Sequence, residues 1–380
     1  MPDLDVLIVG GGPAGASCAW ALRRAGMKVG VLDQAPFPRD KVCAGWITPA
    51  VLDSLEIDAE DYGRGRVIQP IRAFRVGLMG GLVGAVVNSH AVNIRYAETV
   101  SYGIRRREFD DYLLRRSGAR LFTGEPVHAL LHGGKDWLVN AQYRAPMLVG
   151  AGGHTCPVAR ALGAQPGREA ALVAQEIEFL LPENARAACQ VHGERPELYF
   201  CRDLAGYGWC LRKGDYLNIG LGRESRWNLL QHVEKFIAFL QRRRGVPQLP
   251  AHLHGHAYLQ YGRGKRNLVA DGALLIGDAA GLASPQSGEG IRPAVESGLL
   301  AAQTIIEARG QYGRQHLQPY LERIQSRFGN ETPGSAIMPD WGRKVFARAL
   351  FSLPGLVRRL VIDKAFLHAN QPALAPVQPS

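Results

Sequence analysis

Two apolar runs and a glycine turn dominate the start of the chain. Residues 4–9 (Leu-Asp-Val-Leu-Ile-Val) are nearly all apolar, the pattern of a strand covered on both faces in a parallel sheet. A glycine turn follows, then a helix over 13–26, rich in Ala, Leu and Arg and ended by Gly26, then a second strand over 28–32. These elements make a complete βαβ unit. Residues 66–100 alternate and are rich in Val and Gly, which predicts strands of a different sheet. A helix over 106–116 and a buried strand over 146–151 return the chain to the first sheet. From 168 to 223 the pattern is that of an antiparallel sheet, with strands at 170–179, 197–201, 208–211 and 216–221. The helix expected at 227–243 places Leu229, Leu230, Val233, Phe236, Ile237 and Leu240 on one face. A strand at 273–276 and a helix over 288–308 close the first domain. The expected division is 1–65, 101–165 and 265–330 for a discontinuous nucleotide domain, 66–100 and 166–264 for a substrate domain, and 331–380 for a basic tail, helical in places.

The first turn carries G-x-G-x-x-G at Gly10, Gly12 and Gly15, with Pro13 and Ala14 between them, and Asp33 closes the next strand. Gly10 permits the tight turn, Gly12 lets a pyrophosphate approach the backbone, and Gly15 allows close packing of helix on strand. The helix N-terminus favours the diphosphate charge, and Asp33 would accept from the adenosine ribose hydroxyls. This fingerprint alone does not choose between FAD and NAD. A second one selects FAD: Leu274-Leu275-Ile276-Gly277-Asp278 is an apolar strand ending in a Gly-Asp turn, and Pro285, Gly288, Gly290 and Ile291 follow. A carboxylate at a strand's C-terminal end is placed to accept from ribityl hydroxyls. Gly288 and Gly290 let a helix N-terminus approach the flavin pyrimidine ring. The predicted fold class is α/β: a Rossmann-type FAD-binding domain, interrupted, with an inserted mixed, mainly antiparallel β-sheet substrate domain and a helical C-terminal tail. FAD is expected to be held non-covalently.

These motifs resemble those of the FAD-dependent hydroxylase (p-hydroxybenzoate hydroxylase-like) superfamily and, within it, the geranylgeranyl reductase family. The shared residues are Gly277-Asp278-Ala279-Ala280-Gly281, Pro285 with Gly288-Glu289-Gly290-Ile291, and Glu296-Ser297-Gly298. Arg39, Lys41, Cys43 and Gly45 match an Arg-x-Lys-x-Cys-Gly-Gly stretch in which Ala44 replaces the first glycine. Arg106, Phe109, Asp110 and Leu113 match an Arg-x-x-Phe-Asp-x-x-Leu helix. The resemblance implies cofactor contacts for Arg39, Lys41, Ala44, Gly45, Arg106, Pro285 and Ile291, and it places Cys43 beside the flavin. There a thiol would donate a proton, or simply pack. Tyr207 and Trp209 match the first part of a Tyr-x-Trp-x-Phe-Pro motif, with Leu211 and Arg212 in place of Phe-Pro. In a strand both point to one face, either towards flavin and substrate or into the core. The chain departs from the superfamily at Gly152, where an aspartate is usual. Direct reduction by NAD(P)H is therefore not expected, and a protein or quinone electron donor becomes the alternative.

The resemblance implies carbon–carbon redox chemistry through flavin N5 on a hydrophobic substrate. Hydroxylation of an aromatic substrate through a flavin hydroperoxide shares the same fold, so fold does not decide between them. A non-enzymatic FAD-binding or electron-transfer protein is the third reading. Flavin halogenases carry Trp-x-Trp-x-Ile-Pro, which is absent.

Composition removes several classes. The six cysteines form no C-x-x-C pair, which argues against zinc and iron–sulfur sites and for reduced, cytoplasmic thiols; no metal ligand set is expected. No secretory signal is visible and no run of 18 apolar residues exists. The net charge of +11 is spread along the chain without a nucleic-acid motif, so nucleic acid is not the expected partner. The charge does concentrate in the tail, where Arg343, Lys344, Arg348, Arg358, Arg359 and Lys364 interleave with apolar residues and Pro354 splits the stretch in two. Such segments lie on a membrane surface or an acidic partner, or pack on the enzyme's own core.

Overall fold

The computed structural model describes residues 3–79, 91–166, 168–169, 171–224, 229–250, 253–262, 266–329 and 350–375. The first apolar run, Val6–Val9, is buried along its whole length because it sits inside a six-stranded sheet, between parallel strands Val29–Asp33 and Met147–Gly150. Ala273–Leu275 extends the sheet on one side and Arg120–Thr123 on the other, both parallel to their neighbours; Val269–Ala270 adds an antiparallel edge. Strands distant in sequence are thus neighbours in space, and the two glycine turns emerge at the same end of the sheet.

Two helices bring those turns together. Pro13–Arg24 opens with proline in its first turn, where the missing N–H costs nothing. Ile291–Glu307 crosses it at Gly298, where a Cβ would stand only 2.4 Å from the Ala14 carbonyl oxygen. Ile291–Glu307 begins three residues later than the expected 288, because Gly288 takes φ +70° in the turn that precedes it.

The second sheet has seven strands in the spatial order His254–Tyr258, Leu172–Leu180, Tyr216–Arg223, Gly206–Lys213, Glu197–Phe200, Ala73–Leu78, Val92–Arg95. All neighbours are antiparallel except Glu197–Phe200 with Ala73–Leu78. Helix Leu229–Arg244 covers one face, burying Leu229, Val233, Phe236 and Leu240. Gly208 makes room for this packing, since a Cβ there would meet the Phe236 ring at 2.6 Å. Leu230, expected on the packed face, is exposed. The other face of the sheet looks towards the glycine turns.

The tail packs on the protein itself. Phe351, Val357, Val361, Ile362, Phe366 and Leu367 join a core cluster with Phe74, Val76 and Leu211 of the seven-stranded sheet. Pro354 starts helix Pro354–Leu356, which runs on as a π-helical stretch, Val357–Phe366. Of the residues named above, 80–90, Ala170, 227–228 and the tail residues Arg343, Lys344 and Arg348 lie outside the described residues. No described helix is long and apolar enough to cross a membrane.

Candidate active site

Between the glycine turns and the open face of the second sheet lies a cleft of about 540 Å³. Both fingerprints line it. From the first come Gly10, Gly12, Pro13, Ala14 and Asp33; from the second, Asp278, Gly288, Gly290 and Ile291. Arg39, Lys41, Cys43, Ala44 and Arg106 line it as well, and so do Tyr207 and Trp209. Four expected residues stand behind the lining. Gly15 closes the first turn, where a Cβ would fall 1.9 Å from the Gly10 carbonyl oxygen. Gly45 (φ +64°) abuts the Ile104 carbonyl, and Gly277 (φ +58°) abuts Ala14. The Pro285 carbonyl accepts from Gln260 Nε2 at 2.9 Å.

The cleft is strongly polar at its phosphate end. Asp33 accepts from the backbone N–H of Gly11 at 2.7 Å and of Ala35 at 2.9 Å, which braces the turn. A carboxylate has about four acceptor positions, so these bonds leave capacity for a ribose. Arg106 forms a two-pronged bond to Asp110, both contacts at 2.8 Å, and its guanidinium lies near the Cys43 thiol. Lys41 Nζ and His256 Nε2 share a hydrogen bond at 2.8 Å, and the same ring nitrogen stands 3.8 Å from Asp278 Oδ2. Burial lowers the pKa of both Lys41 and His256. It also opposes charge on Asp278, but the nearby His256, Lys41 and Arg106 hold that carboxyl below its ordinary range. The Asp278 carboxylate is therefore an acceptor ringed by cationic groups, suited to hydroxyls of an anionic cofactor.

The sheet end is aromatic. Alternation along Gly206–Lys213 puts Tyr207 and Trp209 on the cleft side, with ring centroids 6.0 Å apart. The Trp209 ring lies across Gly220, its cross-strand partner, where a Cβ would stand 2.2 Å from the indole. Its Nε1 donates to Asn218 Oδ1 at 2.8 Å. Tyr207 donates its hydroxyl to the Ser287 carbonyl at 2.5 Å, which ties the sheet to the Gly288–Gly290 loop. Phe366 from the tail packs edge-on against Tyr207 at 5.3 Å and stacks on Trp46 at 5.2 Å. Cys43 is half-buried, while the other five cysteines are buried.

Sequence reasoning passed over His256, Tyr258, Phe366 and a set of polar groups under Cys43: Glu176, Glu178, Lys213 and Asn218. The available signal was two carboxylates at alternate positions, Glu176 and Glu178, inside the otherwise apolar strand Leu172–Leu180. His154, beside Gly152 and Gly153, is buried, and its carbonyl accepts from Arg266 at 3.0 Å.

The glycine cradles, the acceptor carboxylates and the cleft that joins both fingerprints fit FAD. The family model described as FAD dependent oxidoreductase matches residues 5–80. A menaquinone reductase of Mycolicibacterium smegmatis is 31% identical over 325 residues, 79% of this chain and 76% of that protein. A digeranylgeranylglycerophospholipid reductase of Methanothrix thermoacetophila is 27% identical, over 86% of this chain and 84% of that one. Among solved structures, a geranylgeranyl bacteriochlorophyll reductase-like protein of Thermoplasma acidophilum shares the fold with a TM-score of 0.72 at 21% identity, over 99% of this chain and 93% of that chain. The halogenase PltM shares it with a TM-score of 0.69 at 16% identity, over 86% and 75%. The chain is thus an FAD-dependent oxidoreductase, and it belongs to the geranylgeranyl reductase family.

Proposed function

We propose that this enzyme reduces carbon–carbon double bonds of an isoprenoid chain carried by a membrane lipid or quinone. The observation that carries the reading is the junction of the two fingerprints with an aromatic wall. Trp46, Tyr207, Trp209 and Phe366 line the same cleft as the cofactor motifs, a lining suited to an unsaturated hydrocarbon rather than a charged substrate. Relatives named for the reduction of menaquinone and of digeranylgeranylglycerophospholipid support the same class.

Reduced FAD supplies the hydride equivalent for such a reduction. The residues of this chain do the rest. Asp33 and Asp278 would hold hydroxyls of the cofactor, and Arg39 and Arg106 would offset its negative charge. Tyr207 and Trp209 would pack against the olefin and orient it. Adding hydrogen across the double bond also takes a proton, and Cys43, half-buried at the cleft with Arg106 nearby, is the group placed to give it. Gly152 lines the cleft where the superfamily has an aspartate, so the electrons come from a protein or quinone donor rather than NADPH. The tail delivers the enzyme to its substrate: its outer side exposes Leu353, Leu356 and Leu360 beside Arg359 and Lys364, while its inner side supplies Phe366 to the cleft. That pattern suits an anionic bilayer surface.

Product analysis tests the reading. Reduced holoenzyme incubated without oxygen with menaquinone, or with a geranylgeranyl lipid, is expected to yield a product with two added hydrogens per reduced bond. A product that forms only with oxygen and carries an added oxygen atom would assign the enzyme to aromatic hydroxylation instead.

A further inference from the structure

Beneath the cleft, the face of the seven-stranded sheet carries a buried carboxyl that the chemistry above does not use. Strand Leu172–Leu180 turns Glu176 and Glu178 to the same side. Glu178 is matched by two cations. Lys213 contacts its Oε2, and Arg105 Nε stands 2.9 Å from its Oε1. Lys213 also donates to the carbonyls of Ala44 at 3.0 Å and Ile104 at 2.9 Å. Glu176 has no such ion pair among the described residues. Its partner is the Asn218 amide, 3.3 Å from Oε2, which also reaches Glu178 Oε2 at 3.4 Å; the Cys43 backbone N–H lies near enough to favour its charged form. The same Asn218 amide donates to the Cys43 carbonyl at 3.2 Å, and Asn218 Oδ1 accepts from Trp209. The Cys43 backbone is therefore tied through its carbonyl to Asn218, which also bonds Glu176 and fixes the indole of Trp209.

We propose that Glu176, acting with Asn218, is the positioning residue that sets the Cys43 backbone and so aims its thiol into the cleft. The consequence for turnover rests on the reading of Cys43 as proton donor; the positioning itself does not. Burial pushes the Glu176 carboxyl up to about 7, against the pull of the Cys43 N–H and of Lys213. The charged groups facing it are Glu178 on its own strand and Lys213 on Gly206–Lys213, with Arg105 behind Glu178; His254, its register partner on the next strand, is exposed. The ionised carboxylate accepts from Asn218 and is favoured by the nearby Cys43 N–H. Protonation turns one of its oxygens into a donor, which breaks the set of bonds that holds the loop.

Cys43 is the one half-buried cysteine, so alkylation by iodoacetamide, read by mass spectrometry of its peptide in the FAD-loaded enzyme, reports on it selectively. Wild type is expected to show a change in Cys43 reactivity near pH 7, on top of the rise from the thiol's own ionisation. Glu176→Gln is expected to lose that change while still alkylating at high pH. A wild-type profile that follows a single thiol ionisation, or an unaltered change in Glu176→Gln, overturns the proposal. Should Glu176→Gln fail to fold, Asn218→Ser breaks the same clamp from its other side and keeps the acid. It is then expected to flatten the step, and an unaltered step in that variant refutes the proposal equally. Turnover separates the two readings. If Cys43→Ser keeps full turnover while the Glu176-dependent step is present in wild type, the positioning stands and the proton-donor role of Cys43 falls.

Discussion

Asp278 and Glu176 are both buried acids, and their surroundings drive them in opposite directions. Asp278 has His256, Lys41 and Arg106 close by and stays charged. Glu176 has no ion-paired cation among the described residues, and burial raises it to about 7. Replacing Asp278 with Ala is expected to weaken FAD binding by about 1.5–3 kcal/mol, the cost of one hydrogen bond to a charged group. That corresponds to roughly ten- to more than a hundredfold in Kd, measurable by titrating the apoprotein with FAD. For Glu176 the sign follows from linkage. Between its ordinary value of 4.5 and about 7 the folded protein keeps a proton that the unfolded chain has lost. Its contribution to stability therefore falls as pH rises through that window, by roughly 3 kcal/mol in all, and is constant above it. Denaturant midpoints measured from about pH 5 to about pH 8 should fall more steeply for wild type than for Glu176→Gln; parallel curves would show that Glu176 titrates normally. Asp278 was legible in the sequence because it sits in a local Gly-Asp turn. Glu176 was not, because its meaning depends on Cys43, 133 positions away in the chain and adjacent only through the fold.

Elements with a strong period were read closely. The helix expected over 106–116 is Arg106–Arg116, and the first βαβ unit lies within a few residues of its expected bounds. The short strand His254–Tyr258 was missed because His-Gly-His-Ala-Tyr shows neither an apolar run nor alternation. It becomes a strand by pairing with Leu172–Leu180, and so delivers His256 to Asp278. The tail illustrates a limit of pattern reading. Its amphipathic period fitted both packing and docking, and the structure gives it two apolar sides. Phe351, Val357, Val361, Ile362 and Phe366 face inward, while Leu353, Leu356 and Leu360 remain 52%, 41% and 41% exposed. Replacing those three leucines with serine should leave the fold intact and abolish co-sedimentation with anionic vesicles at low salt. Wild-type binding should weaken as salt rises, since exposed charges are screened beyond about 10 Å at 0.1 M. Absence of wild-type binding under those conditions would confine the tail to its packing role.

Across the whole molecule, the cofactor end of the cleft could be read from two local motifs, while the substrate end could not. Tyr207 and Trp209 were visible as a pair, but their wall is completed by Trp46 from one end of the chain and Phe366 from the other, brought together only by the second sheet. The same assembly keeps Gly152 at the cleft, so NADPH added without oxygen is expected to leave the flavin oxidised, and rapid bleaching of its long-wavelength absorption would refute that expectation. The central claim, that reduced FAD in this cleft passes its electrons to a carbon–carbon double bond, is tested most directly by an anaerobic single turnover. Chemically reduced holoenzyme is mixed with menaquinone bearing an unsaturated side chain, and the flavin spectrum is followed while the lipid is recovered. The account predicts flavin reoxidation without oxygen, matched mole for mole by loss of side-chain double bonds. Flavin that stays reduced until oxygen is admitted, with the side chain unchanged, would contradict it.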